Sequence, residues 1–404
     1  MVKAFIPILL ISLGILSDLY IFHRYINFQS MWRWIWWFPA IGILCFALYF
    51  VFFGKGFGVE YNSINIFLLL IGICCIPKII FAIFAPLPKV GTWLGIIAAL
   101  GIIYIILYGI TLGFSKFHFK YVTYESATVP KAFDGYRIVQ FSDTHTGTFR
   151  GPYHKLLRES IDSINTLKPD LICFVGDIVN FSPEELMPHI EAYSSLRATD
   201  GVVTIMGNHD YASYINISPK ERLALVNRTR ELQHTFGWDM LSNTHRIIYR
   251  SNTDEKGNVH CDSIVLIGEE NWGKPPFPQY GNIEQALKGL TVQDRKIITN
   301  NGQQAFSIML SHDPNAWREH IMPIFKPEIT MSGHTHGTQF SIFGWSPASM
   351  LYKEWGGIFY EKPSDSEQST QQSILSVTTG MGGNFPFRFG MPREAVVITL
   401  KHKE

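Results

Sequence analysis

The stretch Ile329-Thr330-Met331-Ser332-Gly333-His334-Thr335-His336-Gly337 joins a short, apolar, β-rich run to two histidines that stand one residue apart between glycines. Such a run reads as a buried strand, and the polar residues then fall in the loop at its carboxyl end. Working outward, the same arrangement returns four times. Tyr136 to Phe141 leads into Asp143-Thr144-His145, Asp170 to Val175 into Gly176-Asp177, Gly201 to Met206 into Gly207-Asn208-His209-Asp210, and Phe306 to Leu310 into Ser311-His312. Ser263 to Ile267 and Ile374 to Thr378 are two further strand candidates. Helical patterns at Tyr153 to Leu167, Pro183 to Leu196 and Pro219 to Phe236 lie between strands, so the order is alternating α/β. Phe117 to Val129 alternates as a half-buried strand, Pro130 to Gly135 reads as a turn, and polar residues 362–373 read as an exposed loop.

In an open α/β sheet, ligands bind beyond the carboxyl ends of the strands, so the five loops are expected to converge on one patch. Their donors are three carboxylates, one Asn and five His, with no Cys. That set suits hard-to-borderline divalent metals held through oxygen and imidazole nitrogen, and it excludes thiolate zinc chemistry. A carboxylate has two oxygens with spare lone pairs, so Asp143 or Asp177 can bridge two ions. Glycines before Asp177, Asn208 and His334 permit tight turns. A lone Asp in such a loop is most often a helix cap and a lone His most often satisfied by packing. Five matched clusters in order are not explained that way. His154, His189, His234, His245, His260 and His320 lie outside the clusters and are expected at surface or packing positions.

The clusters D-x-H, G-D, G-N-H-D, H and G-H-x-H resemble the signature of the calcineurin-like metallophosphoesterase superfamily over about residues 134–400. Gly333 to Gln339, Gly357 to Tyr360 and the Arg388 to Leu400 tail look most like the bacterial membrane-associated branch that includes UDP-2,3-diacylglucosamine hydrolases; Thr338 departs from a frequent glycine. The resemblance implies a four-layer α-β-β-α sandwich, two packed mixed sheets flanked by helices. It also implies two divalent ions, Mn, Fe, Zn or Co with Mn favoured. Asp143, His145, Asp177 and His336 would hold one; Asp177, Asn208, His312 and His334 would hold the other. His209 matches the family's general acid, and Asp210 is expected to orient its imidazole. Ions so paired, about 3.5–4 Å apart, lower the pKa of a shared water that attacks phosphorus.

The first 115 or so of the 404 residues are a different material. Apolar stretches at about 4–22, 35–53, 66–86 and 92–113 each approach the ~20 residues that cross a hydrocarbon core, so a four-helix transmembrane unit is expected over 1–115. Residues 116–134 form a linker and first strand, and 135–404 the hydrolytic domain. Further apolar stretches follow the first, which argues against a cleaved signal peptide. Trp32, Trp34, Trp36 and Trp37 suit an interfacial aromatic belt. Asp18 and Lys78, near helix ends, are expected to snorkel to the interface. Cys45, Cys74, Cys75, Cys173 and Cys261 show no CxxC spacing and read as small buried apolar residues.

An even number of spans puts the N-terminus and the large domain on one side. Lys3, Lys55, Lys116 and Lys120 stand there against Arg24, Arg33 and Lys89 on the other, which favours the cytoplasm. The net charge of +1 and the absence of a basic run give no nucleic-acid footprint. The partners expected are therefore the bilayer and a phosphorylated small molecule or lipid; no oligomeric state is specified. Aromatics in Trp272 to Tyr280 and Phe340 to Tyr360 either line a lipid-accepting groove or pack the domain edge. Two rivals stand beside the lipid reading: a phosphodiesterase or nucleotidase for soluble substrates, and a non-catalytic membrane scaffold with a structural metal site.

Overall fold

The computed structural model describes residues 2–26, 31–53, 61–253, 257, 259–299, 302–361 and 373–404. Residues 27–30, 54–60 and 362–372, which carry parts of the expected loops, lie outside the described residues. Two compact units result, Met1–Leu112 and Gly113–Glu404.

The first unit is helical: α1 (Val2–Tyr25), α2 (Phe38–Phe53), α3 (Tyr61–Cys74), α4 (Ile76–Phe84) and α5 (Gly91–Tyr108). Four segments, Pro7–Tyr25, Met31–Tyr49, Ser63–Phe84 and Gly91–Gly113, are long and apolar enough to cross a membrane. The third breaks at Cys75 because Pro77, in the first turn of α4, removes a backbone donor. Ile11, Ile43, Ile71 and Cys75 form the small core. Trp32 and Trp34 are exposed on a 3-10 turn, Met31–Trp37, that leads into α2. The snorkelling expected of Asp18 and Lys78 is not what the structure shows. Lys78 Nζ donates to Asp18 Oδ1 at 2.7 Å and Asp18 is buried, since an intramembrane charge is cheaper paired than alone.

Among the described residues the second unit carries fourteen strands: β1 (Phe117–Ser126), β2 (Arg137–Phe141), β3 (Leu171–Val175), β4 (Val202–Ile205), β5 (Asp239–Met240), β6 (Thr244–Thr253), β7 (Val259–Gly268), β8 (Thr291–Gln293), β9 (Lys296–Ile298), β10 (Phe306–Leu310), β11 (Ile329–Ser332), β12 (Gly357–Tyr360), β13 (Ile374–Val377) and β14 (Arg393–His402). One mixed sheet runs β1-β14-β2-β3-β4-β5 and the other β12-β13-β11-β10-β7-β6, while β8 and β9 make a separate ribbon. Alternation along the strands explains the layering. In β3, Leu171, Cys173 and Val175 face the other sheet, where Ile264, Leu266, Ile308 and Leu310 meet them. Ile172 and Phe174 face the opposite way, toward α6 (His154–Thr166), α7 (Ile190–Ser194) and α8 (Pro219–Thr235). Short α9 (Ile283–Ala286) and the turn Trp317–Ile321 cover the outer face of the second sheet. The result is a four-layer α-β-β-α sandwich, in which each fully buried aliphatic side chain contributes about 1.5–3 kcal/mol.

Two details differ from the sequence reading. Pro183 to Leu196 is a 3-10 segment, Pro183–His189, followed by α7, because Pro188 interrupts the helical hydrogen bonds. Cys45 and Cys261 are exposed, the latter near the solvent-facing start of β7, so neither is the buried apolar residue expected.

Candidate metal centre

All five polar clusters sit just beyond the carboxyl ends of central strands: β2 delivers Asp143 and His145, β3 Asp177, β4 Asn208 and His209, β10 His312, and β11 His334 and His336. The turns are sharp. Asp143, His145, Asp177, His334 and His336 all have φ between 41° and 70°, a left-handed conformation that non-glycine residues adopt at a cost and that concentrates at functional sites. Close approach makes two glycines necessary. A Cβ at Gly207 would collide with Asp177, and one at Gly333 with Asp143 and Ser142.

Two groups of donors form around one shared residue. Ligand atoms of Asp143, His145, Asp177 and His336 lie within 4.8 Å of one another, and so do those of Asp177, His312 and His334; all are buried. In the first group, His145 Nε2 and His336 Nε2 face each other at 3.1 Å, with Asp143 Oδ1 3.4 Å from His336 Nε2. Asp177 Oδ2 lies 3.6 Å from His145 Nε2 and 3.1 Å from His312 Nε2, so one oxygen looks into both groups. Its partner Oδ1 accepts from the His209 amide at 2.8 Å. Asn208 Oδ1 joins the second group, 2.7 Å from His334 Nδ1.

Charge in this donor set is shared between carboxylate and imidazole: burial pushes Asp143 up to about 7, while against burial the facing Asp177 and Asp143 raise His312 to about 10. Burial, reinforced by neighbouring imidazoles, holds His145 and His336 well below the ordinary histidine range, hence in the neutral form that ligates. Burial opposes charge on Asp177, but the facing His312, His209 and His145 keep its carboxyl well below the usual carboxylate range. At 3.1 Å the two Nε2 atoms can share one proton at most, so the buried carboxylates and imidazoles around them keep lone pairs that a divalent ion would satisfy. The donor set therefore fits two divalent metals.

Residues outside the five clusters set the orientation of these donors. Tyr214 Oη accepts from Asn208 Nδ2 at 2.6 Å, which turns Oδ1 toward His334. Tyr352 Oη lies 3.0 Å from His334 Nε2, and buried Asp313 Oδ2 is 3.7 Å from the same nitrogen. His312 Nδ1 donates to Val175 O at 2.7 Å, directing Nε2 inward. Arg388 Nη2 donates to Thr379 O, Gly380 O and Gly382 O, shaping the loop that backs Asp143. None of these lies in a cluster, so spacing alone gave no sign of them.

One expected role is corrected. Asp210 does not orient His209. Its two oxygens accept from the amides of Asp177, Ile178, Val179 and Gly207 at 2.9–3.2 Å, which fills the carboxylate and ties together the turns that carry Asp177 and Asn208. His209 Nδ1 instead lies 2.7 Å from Asn180 O. The aromatic stretches divide between the two readings: Phe277 packs edge-on against His334 with centroids 4.6 Å apart, whereas Trp272 stacks on His320 and Tyr280 packs at a tilt against Tyr211. His189 binds Phe149 O, His245 binds Ala286 O and His320 faces Glu269, all outside the hollow.

Comparison with known proteins gives a consistent picture. The family model described as calcineurin-like phosphoesterase matches residues 136–338. An uncharacterized metallophosphoesterase, YkuE, of Bacillus subtilis is 28% identical over 285 residues, covering 69% of this chain and 84% of the relative. A UDP-2,3-diacylglucosamine pyrophosphatase, LpxG, of Chlamydia muridarum is 24% identical over 295 residues, covering 67% of this chain and 86% of the relative. A transmembrane protein with metallophosphoesterase domain from Danio rerio is 27% identical over 277 residues, 68% of this chain but only 55% of that relative's length.

Proposed function

The chain belongs to the calcineurin-like phosphoesterase family and is a hydrolase of phosphate esters, and from that premise we propose a membrane-anchored enzyme that cleaves the diphosphate of a lipid-linked substrate. In this reading Asp143, His145, Asp177 and His336 hold one divalent ion and Asp177, Asn208, His312 and His334 a second. The observation that carries it is Asp177 Oδ2, one buried oxygen that faces imidazoles of both groups. When bound, such a pair supplies Lewis acidity and a water of lowered pKa.

The chain's own residues do the rest. Asn208, fixed by Tyr214, presents its amide oxygen to the second group, and His334 is steadied by Tyr352. His209 donates Nδ1–H to Asn180 O, so it is the imidazolium, with its second proton on Nε2, that would hand that proton to the leaving oxygen and become neutral, a step worth about 10²–10⁴-fold. Asp210 acts on that proton transfer only through the backbone it gathers. The lipid class is supported by the four apolar helices and by the name of the Chlamydia relative, whose substrate joins a diacylated sugar to a nucleotide through a diphosphate. The same lysine distribution that favours the cytoplasm in the sequence supports a cytoplasmic catalytic unit.

Full-length protein in detergent micelles tests this. Hydrolysis of a diacylated sugar nucleotide well above that of its deacylated head group is the expected outcome. Equal rates would transfer the reading to soluble diesters. For orientation, a membrane-impermeant maleimide should label exposed Cys261 in inverted membranes and not in intact cells; labelling in intact cells would reverse the topology.

A further inference from the structure

The loop that follows His336 is held at its base and apolar at its tip. Ser341 N donates to Phe389 O at 2.8 Å, and Ser346, fully buried, donates Oγ–H to Gly337 O at 2.6 Å. Between these anchors Ile342 and Trp345 exchange backbone hydrogen bonds of 2.9 and 3.0 Å around a two-residue turn of Phe343 and Gly344. Both turn residues have positive φ, 51° for Phe343 and 80° for Gly344. Such a turn ordinarily takes Asn-Gly or Asp-Gly, so a bulky phenylalanine here is strained as well as exposed. Phe343 is 106% exposed, and Trp345, Met350 and Leu351 are also exposed. A strained turn that holds Phe343 and Trp345 in water, followed by a 3-10 segment, Pro347–Met350, whose end leaves Met350 and Leu351 exposed, marks an interaction surface.

The covalent path says which surface meets it. The last candidate span ends at Gly113 and β1 begins at Phe117, a reach of at most about 14 Å. Inside this unit, buried Arg393 donates Nε–H to Phe114 O at 2.7 Å, and Arg393 pairs with Phe117 across β14 and β1. Phe389, which anchors the loop, precedes Arg393 by four residues. The loop base is therefore within about 20 Å of Phe117, which itself lies at most about 14 Å from the end of the last candidate span. Trp345 beside aliphatic tips is the composition of a bilayer interface.

We propose that Phe343, Trp345, Met350 and Leu351 form a docking surface that inserts into the lipid bilayer beside the metal centre. The surface continues directly into Tyr352, whose hydroxyl reaches His334, so a lipid leaving the bilayer along it arrives at the second group of donors. The inference rests on the membrane-anchored reading above and deepens it.

The test uses the full chain in vesicles of phosphatidylethanolamine and phosphatidylglycerol, with the photoreactive residue benzoylphenylalanine replacing Phe343, Leu351 or, as control, Tyr249. Tyr249 is exposed on β6, at the sheet edge opposite β12. After irradiation, peptides carrying the mass of one phospholipid are expected at positions 343 and 351 and not at 249. No lipid adduct at 343 and 351, equal adducts at all three, or crosslinks to a second copy would each overturn the proposal. The same vesicles assayed on a lipid diphosphate separate the two claims. Adducts without that hydrolysis retain the docking surface and remove the lipid substrate, whereas hydrolysis without adducts removes the docking surface alone.

Discussion

The two halves of the metal centre share Asp177 and are otherwise built by different means. The first half, Asp143, His145 and His336, is shaped mainly by backbone: all three ligands have left-handed φ, as only His334 does among those peculiar to the second half, and Gly380, in the loop that Arg388 gathers, packs against Asp143. The second half, Asn208, His312 and His334, is aimed largely by side chains, with Tyr214 on Asn208 and Tyr352 and Asp313 on His334. A backbone-built half tolerates almost no change at its glycines. A side-chain-built half degrades by degrees, and it is the half that meets the aromatic residues Phe277 and Tyr352.

Perturbations ordered by size probe that difference. Asp177→Ala should abolish metal-dependent turnover, because both halves lose their common oxygen; full activity with one ion would make the halves independent. Gly380→Ala should come next, because a Cβ there meets Asp143 at 2.7 Å, stripping the first ion and most of the activity while the second ion stays. Loss of both ions together there would erase the distinction. His209→Ala should keep both ions and lower the rate by about 10²–10⁴-fold on an alkyl leaving group, but far less on p-nitrophenolate, which needs no proton. Equal losses on both leaving groups would remove His209 from proton transfer. The smallest effects belong to Tyr214→Phe and Tyr352→Phe, each expected to weaken the second ion by about 10–100-fold in a metal titration and leave the first unchanged.

The same contrast explains what the residues revealed before any coordinates. Strand-end clusters are legible because backbone topology forces Asp143, Asp177, Asn208, His312 and His334 to one edge, and apolar length made the four helices equally plain. Partners that reach the site from outside the clusters were not legible. Tyr214, Asp313, Tyr352 and Arg388 come from loops whose paths depend on tertiary packing. Asp210 was misassigned because adjacency to His209 in sequence says nothing of where its carboxylate points; the backbone amides of two turns claimed it first. Asp18 and Lys78, 60 residues apart, each looked like an isolated charge near a helix end until the fold brought them to 2.7 Å.

The most direct test of the shared-oxygen centre is metal content measured beside turnover on full-length protein loaded with Mn²⁺, wild type against Asp177→Ala. Two equivalents of metal per chain with turnover in the wild type, and neither in the variant, is the result this account requires. A variant that keeps two equivalents and hydrolyses at the wild-type rate would contradict it.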